Sequence, residues 1–118
     1  MGTGRPAIHL MKRGDVVLIQ EPGTPAGKAR PCVVVQRESG LAAAAKITVC
    51  PMTSRLRGAR GQRPFVAPTR DNGLTRPSEV QVDWIYTHPR QFIGPRIGTV
   101  DSATLDQIDI ALRRWLNL

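Results

Sequence analysis

Hydrophobic and polar positions change rhythm once along the chain. Short β-branched or alternating runs occupy most of it, and a three- and four-residue spacing takes over in the last stretch. Val16 to Gln20 follows the turn-forming Arg13-Gly14-Asp15 and predicts a first strand. Arg30 to Gln36 contains Val33-Val34-Val35, a β-branched run that predicts a strand covered on both faces. Lys46 to Thr53 predicts another, with Ile47 and Val49 on one side and Thr48 and Cys50 on the other. Phe65 to Pro68 is short, and its flanking prolines assign it to a sheet edge. Glu79 to Thr87 reads as one continuous strand, with Val80, Val82 and Trp84 facing one way and Gln81, Asp83 and Ile85 the other. The connections are punctuated: Glu21 to Ala29 holds two prolines and two glycines and reads as a mobile loop. Ser39 to Ala45 is a weakly specified connector with room for a short helical turn, and Asp71-Asn72-Gly73 is a turn.

The period then shifts. Asp101 is a suitable helix cap, and Leu105, Ile108, Leu112 and Trp115/Leu116 form one apolar stripe, with Asp106, Asp109, Arg113 and Arg114 mostly outside it. This predicts a C-terminal amphipathic helix packed on a sheet. Mostly antiparallel strands plus one terminal helix give an α+β fold, a small half-open β-barrel. The 118 residues suit one domain. Residues 1–10 read as an N-terminal extension and a candidate for disorder, because Met11-Lys12-Arg13-Gly14-Asp15 looks like a natural start; residues 11–118 are the domain. Cys32 and Cys50 fall inside predicted strands and read as small buried hydrophobes. With no Cys-x-x-Cys and with His9 and His88 isolated, no metal site and no cofactor are expected.

Charge adds a partner to this picture. The formal net charge is +8, and most of the basic residues are arginine. An anionic partner is indicated, with nucleic acid first and an acidic protein second. Ser54 to Arg63 contains no acidic residue and reads as an exposed loop presenting Arg55, Arg57, Arg60 and Arg63. Apolar runs reach only about five residues, against the roughly 20 that a bilayer requires. No membrane association and a cytoplasmic location are therefore expected. A small half-open barrel also leaves a strand edge and apolar surface in need of cover, which predicts a homodimer.

The order of local motifs is more specific than any one of them. Met11-Lys12-Arg13-Gly14-Asp15-Val16-Val17 and Gly27-Lys28-Ala29-Arg30-Pro31-Cys32-Val33-Val34-Val35 resemble the opening of the MazF/PemK toxins. Val49-Cys50-Pro51-Met52-Thr53-Ser54, then Asn72-Gly73-Leu74, Pro77-Ser78, Val80-x-Val82-Asp83 and Ile97-Gly98-Thr99-Val100, continue the likeness. It runs from Met11 to Leu118. The resemblance implies an SH3-like or CcdB-like half-open barrel that dimerises. It also implies a metal-independent mRNA interferase: a sequence-specific endoribonuclease cutting single-stranded RNA, restrained by a cognate MazE-like antitoxin. The family's catalytic arginine and threonine fall on Arg30 and Thr53. Three departures stand out: Trp84 where many relatives have Gln or Lys, Gln81 where some have Arg, and no histidine between Gln20 and Arg30.

The chemistry of RNA agrees with such a pair. The 2′-OH lies beside the scissile phosphate, so the protein has to assist its deprotonation, stabilise the phosphorane and protonate the departing 5′-oxygen. A guanidinium fork matches phosphate oxygens, and a threonine hydroxyl can bond one of them or orient Arg30. Asp83 is the candidate base; its alternative is an acceptor for loop amides. Lys28, Arg55, Arg57 and Arg60 would bind backbone phosphates, and Ser54, Ser78 and Gln81 would read base edges. Trp84 either stacks a base or fills the core, and an aromatic content of 4% argues against an extended stacking platform. Two rivals are a non-catalytic nucleic-acid-binding barrel and a CcdB-like toxin that binds gyrase.

Overall fold

The computed structural model describes residues 10–20, 28–58 and 61–118. The expected N-terminal extension up to residue 9, the loop across 21–27 and the role given to Arg60 lie outside the described residues. Among the described residues seven strands form one curled antiparallel sheet: β1 (Asp15–Ile19), β2 (Arg30–Val34), β3 (Lys46–Thr53), β4 (Phe65–Val66), β5 (Ser78–Val80), β6 (Tyr86–Pro89) and β7 (Ile93–Thr99). An α-helix, α1 (Ser102–Leu116), follows. The spatial order is β4-β5-β3-β2-β1-β7, with β6 also pairing β3. The expected α+β class and half-open curl are what the chain forms. Among the described residues no helix is long and apolar enough to cross a membrane.

Alternation along the central strands divides the interior in two. Val16, Val33, Cys50, Met52, Val80 and Val82 face α1, where Ile108 and Ala111 are buried against them. Val17, Ile19, Cys32, Val34, Ile47 and Val49 face the other way and pack with Leu41 of a short 3-10 turn, Leu41–Ala43. Both faces of β2 are thus covered, as its valine run predicts. Cys32 and Cys50 sit one in each layer as free, buried thiols. Burial pushes the Cys50 thiol up to about 12, so it stays neutral and inert.

The helix starts where the pattern places it. Asp101 caps it by accepting the Thr104 amide at 2.7 Å, which holds the Asp101 carboxyl below its ordinary range. Arg13 then fastens the helix to the sheet, donating to the Val35 carbonyl at 2.9 Å and to Asp109 at 2.6 Å. The apolar stripe is shorter than its periodicity suggests. Trp115 and Leu116 are exposed, because the last turn has no described layer to pack on.

Two strand assignments need correcting. The expected single strand from Glu79 to Thr87 is two strands, β5 and β6, separated by a bulged turn. Both pair the same edge of β3: Met52 faces Val80 and Thr53 faces Glu79, while Val49 faces Tyr86 and Ile47 faces His88. Between them lies Pro51, whose carbonyl accepts the Gln81 amide at 2.8 Å. Because N–H and C=O of one strand residue point to the same side, the donor that Pro51 lacks is missing along this edge. The ladder cannot continue there, and the partner chain loops out. That loop turns Trp84 away from the core, and Ile85 packs against it instead. Strand β7 carries no readable strand signal in Ile93-Gly94-Pro95-Arg96, yet it pairs β1 with register shifts at Val16/Val17 and Val17/Ile19. An edge strand with irregular pairing tolerates the proline and the glycine.

Candidate nucleic-acid interface

The register between β2 and β3 brings the central pair together. Cys32 faces Pro51 and Val34 faces Val49. Continuing that register by two residues sets Arg30, the first residue of β2, opposite Thr53, the last of β3. Directly opposed residues share a face and lie within side-chain reach. Both line an open groove of about 840 Å³ at this end of the sheet. Arg30 is exposed and Thr53 half-buried. The Thr53 hydroxyl oxygen accepts the Arg55 amide at 3.1 Å, a local turn that leaves its own O–H free to donate.

The described walls of the groove contain five arginines, Arg30, Arg55, Arg57, Arg63 and Arg76, and no carboxylate. Four of them engage no hydrogen bond or ion pair through their guanidinium among the described residues; Arg63 is the exception. The expectation that Arg63 is displayed on an exposed loop is wrong. It is buried, and its Nε and Nη2 donate to the two oxygens of Asp83 at 3.0 and 2.8 Å. The pair raises the Arg63 pKa and holds the Asp83 carboxyl below its ordinary 3.8, the hydrogen bond being the main cause in each. Asp83 is therefore the acceptor of a loop guanidinium, a partner that sequence reasoning sought among the amides, and it does not line the groove.

The amides have a different acceptor. Glu79, fully buried on β5, receives the Arg57 N–H at 3.1 and 3.2 Å and the Gly58 N–H at 3.0 Å. Two carboxylates from one neighbouring segment thus pin the arginine-rich loop near both ends. On the opposite wall, the turn at Asn72 is built by its own side chain, which accepts the Thr69 and Leu74 amides at 3.0 Å each. Gly73 follows at φ +70° against the Ile97 carbonyl, where any Cβ would collide. This close approach brings Leu74, Thr75 and Arg76 to the groove.

Of the residues singled out from sequence, the groove gathers Arg30, Thr53, Ser54, Arg55, Arg57, Ser78 and Gln81. Ser78 is buried and its hydroxyl donates to the Arg76 carbonyl at 3.0 Å, so only acceptor capacity remains for a ligand. Lys28 is exposed and lines neither this groove nor its neighbour. Trp84 lies in that neighbour, a cavity of about 270 Å³ that shares Arg30 and Gln81 with the groove and adds Tyr86 and His88. Sequence reasoning missed Arg76, Glu79, Tyr86 and His88. The alternation Trp84, Tyr86, His88 was a usable signal, whereas Arg76 and Glu79 have none apart from charge. Among the described residues no three of His, Cys, Asp or Glu gather as a metal-ligating group.

Comparison with known proteins adds an independent line. A family model described as PemK-like, MazF-like toxin of type II toxin-antitoxin system matches residues 12–116. A curated relative, the probable endoribonuclease MazF of Mycolicibacterium smegmatis, is 31% identical over 108 residues, covering 92% of this chain and 98% of the relative. Among solved structures, the Mycobacterium tuberculosis toxin MazF-mt6 superposes with a TM-score of 0.75 at 26% identity, over 88% of this chain and 97% of that one. An endoribonuclease in complex with its cognate antitoxin, from a mycobacterial species, superposes with a TM-score of 0.71 at 23% identity, over 94% and 97%. This last likeness concerns the fold.

Proposed function

Because the chain belongs to the PemK-like, MazF-like toxins of type II toxin–antitoxin systems, we propose that it is a metal-independent endoribonuclease that cuts single-stranded RNA at Arg30 and Thr53. The observation that carries this reading is that these two residues line one groove walled by arginines, at strand ends that the β2–β3 register, continued two residues past its last pair, sets opposite each other. The 2′-oxygen attacks phosphorus and loses its proton to solvent water, the bond from phosphorus to the 5′-oxygen breaks, and that oxygen takes up a proton from water. The products are a 2′,3′-cyclic phosphate and a 5′-hydroxyl. The Arg30 fork bonds two nonbridging oxygens as charge builds on them, and Thr53, with its oxygen already engaged by Arg55, donates to one. Arg55, Arg57 and Arg76 hold flanking phosphates, with Lys28 further out, and Ser54, Ser78 and Gln81 read base edges. Asp83 serves to fix Arg63 in the groove wall; a carboxylate with a depressed pKa and two hydrogen bonds to an arginine is a poor proton acceptor at neutral pH.

The same groove suits an acidic segment of a cognate antitoxin, competing with RNA for the unpaired guanidiniums. A homodimer acting in the cytoplasm completes the reading. The decisive test is digestion of a long RNA in excess EDTA with both new ends sequenced and chemically typed. Cleavage should persist, leave cyclic phosphate, and fail when the nucleotide at the cut lacks its 2′-OH. Arg30→Ala should abolish turnover with a modest loss of affinity, and Thr53→Ala should slow it about 10²-fold. Loss of cleavage in EDTA, or cutting of the 2′-deoxy substrate, would rule the mechanism out. RNA bound with steep salt dependence but left intact would favour a non-catalytic binding barrel.

A further inference from the structure

The face of the sheet that carries Arg30 continues past the groove onto β6. Opposed residues share a face, so Tyr86 lies on the same side as Val49, and His88 on the same side as Ile47. Trp84 joins them from the bulged turn. Trp84 and Tyr86 are 54% and 42% exposed, an unusual display of aromatic surface in a chain with so few aromatic residues. Tyr86 and His88 stack with ring centroids 5.3 Å apart and planes 21° from parallel. The three rings border the 270 Å³ cavity, which has an apolar floor and whose polar rim is Arg30 and Gln81, both shared with the groove.

We infer that this aromatic face is a base-stacking subsite, which takes the nucleobase flanking the scissile phosphate while Arg30 holds the phosphate itself. The inference rests on the proposed RNA cleavage and deepens it. Flat rings beside an apolar floor suit the π-face of a base, and the Gln81 amide offers both a donor and an acceptor to a base edge. A splayed single strand can place a base there, whereas a paired duplex cannot, so the subsite also selects unpaired RNA. The feature depends on the Pro51 interruption. An unbroken strand from Glu79 to Thr87 would have turned Trp84 into the sheet with Val80 and Val82.

Trp84 and Trp115 are the two tryptophans of the chain, so Trp115→Phe leaves Trp84 as the only indole. In that variant, intrinsic fluorescence is titrated with a short single-stranded RNA spanning the mapped cut and carrying one 2′-deoxy residue there. Where no cut is found, a mixed-sequence RNA of equal length is used. Quenching is expected, and an abasic replacement at one flanking position should remove it and weaken binding roughly tenfold. In the otherwise unaltered protein, Trp84→Ala should raise KM about tenfold while Trp84→Phe restores it. Quenching that ignores the abasic replacement, or a Trp84→Ala enzyme with unchanged kcat and KM, overturns the subsite. So does a shift of Trp84→Ala from dimer to monomer in sedimentation, which would make the face an interface between copies. Quenching by RNA that is never cut would sink the ribonuclease reading and leave the stacking site standing.

Discussion

The two ends of the arginine-rich loop carry the same charge in sequence and opposite roles in space. At its start, Arg55 and Arg57 line the groove with guanidiniums that no described residue pairs, because the carboxylate that approaches, Glu79, binds backbone amides of Arg57 and Gly58. At its end, Arg63 turns inward and gives its guanidinium to Asp83. Both carboxylates hold the loop, yet only one neutralises an arginine. A loop fixed through its backbone keeps its side-chain charge available. One fixed through a side chain does not. The groove therefore combines a positioned wall with unpaired positive charge, which a floppy basic segment would not offer to a phosphate chain.

Removing the backbone anchor should do the most damage. Glu79→Ala strips the acceptor from two amides next to a fully buried site, and about 3 kcal/mol of stability should vanish. Urea unfolding would show it as a lower midpoint at unchanged slope; a loss under about 1 kcal/mol would mean that water replaces the carboxylate readily. The Arg63–Asp83 pair comes next, at about 2 kcal/mol for Arg63→Ala, since one partner is buried and the other partly exposed. Its pH dependence has a definite sign. The folded-state pKa of Asp83 lies below the ordinary 3.8, so the contribution is full above that value and disappears as pH falls through the depressed one. Acid unfolding followed below about pH 4 should be less steep in Asp83→Asn than in the wild type. Identical acid limbs would show that the pair is not formed in solution. The smallest effect on stability belongs to Arg57→Ala, within about 0.5 kcal/mol. Its signature is electrostatic instead: the log–log slope of RNA affinity against salt should fall by about one. An unchanged slope would remove Arg57 from the phosphate path.

Several features of the site were open to reading along the chain because they are local. Arg30 and Thr53 stand at the ends of strands whose valine content and alternation are explicit, and their convergence follows once those strands pair. The helix cap at Asp101 and the Asp71-Asn72-Gly73 turn use side chains that act on their own backbone neighbours. Trp84 was legible as an aromatic near the site, but its direction was not. Alternation assigns it to the core, and the missing donor of Pro51, in a different strand, reverses that assignment.

The sequence by itself determined strands β1 to β4, the C-terminal helix, the excess of arginine and the strand ends that carry Arg30 and Thr53. Periodicity, propensity and charge are properties of short segments and survive without knowledge of what lies opposite. Only the tertiary structure decided which arginines remain free, which carboxylate meets them, and where the aromatic rings look out. Those outcomes depend on Glu79 and Asp83 reaching a loop some twenty residues earlier in the chain, and on Pro51 facing the edge where β5 would otherwise run into β6. Pairing across a sheet is set by register between distant segments, and neither partner's own sequence contains it.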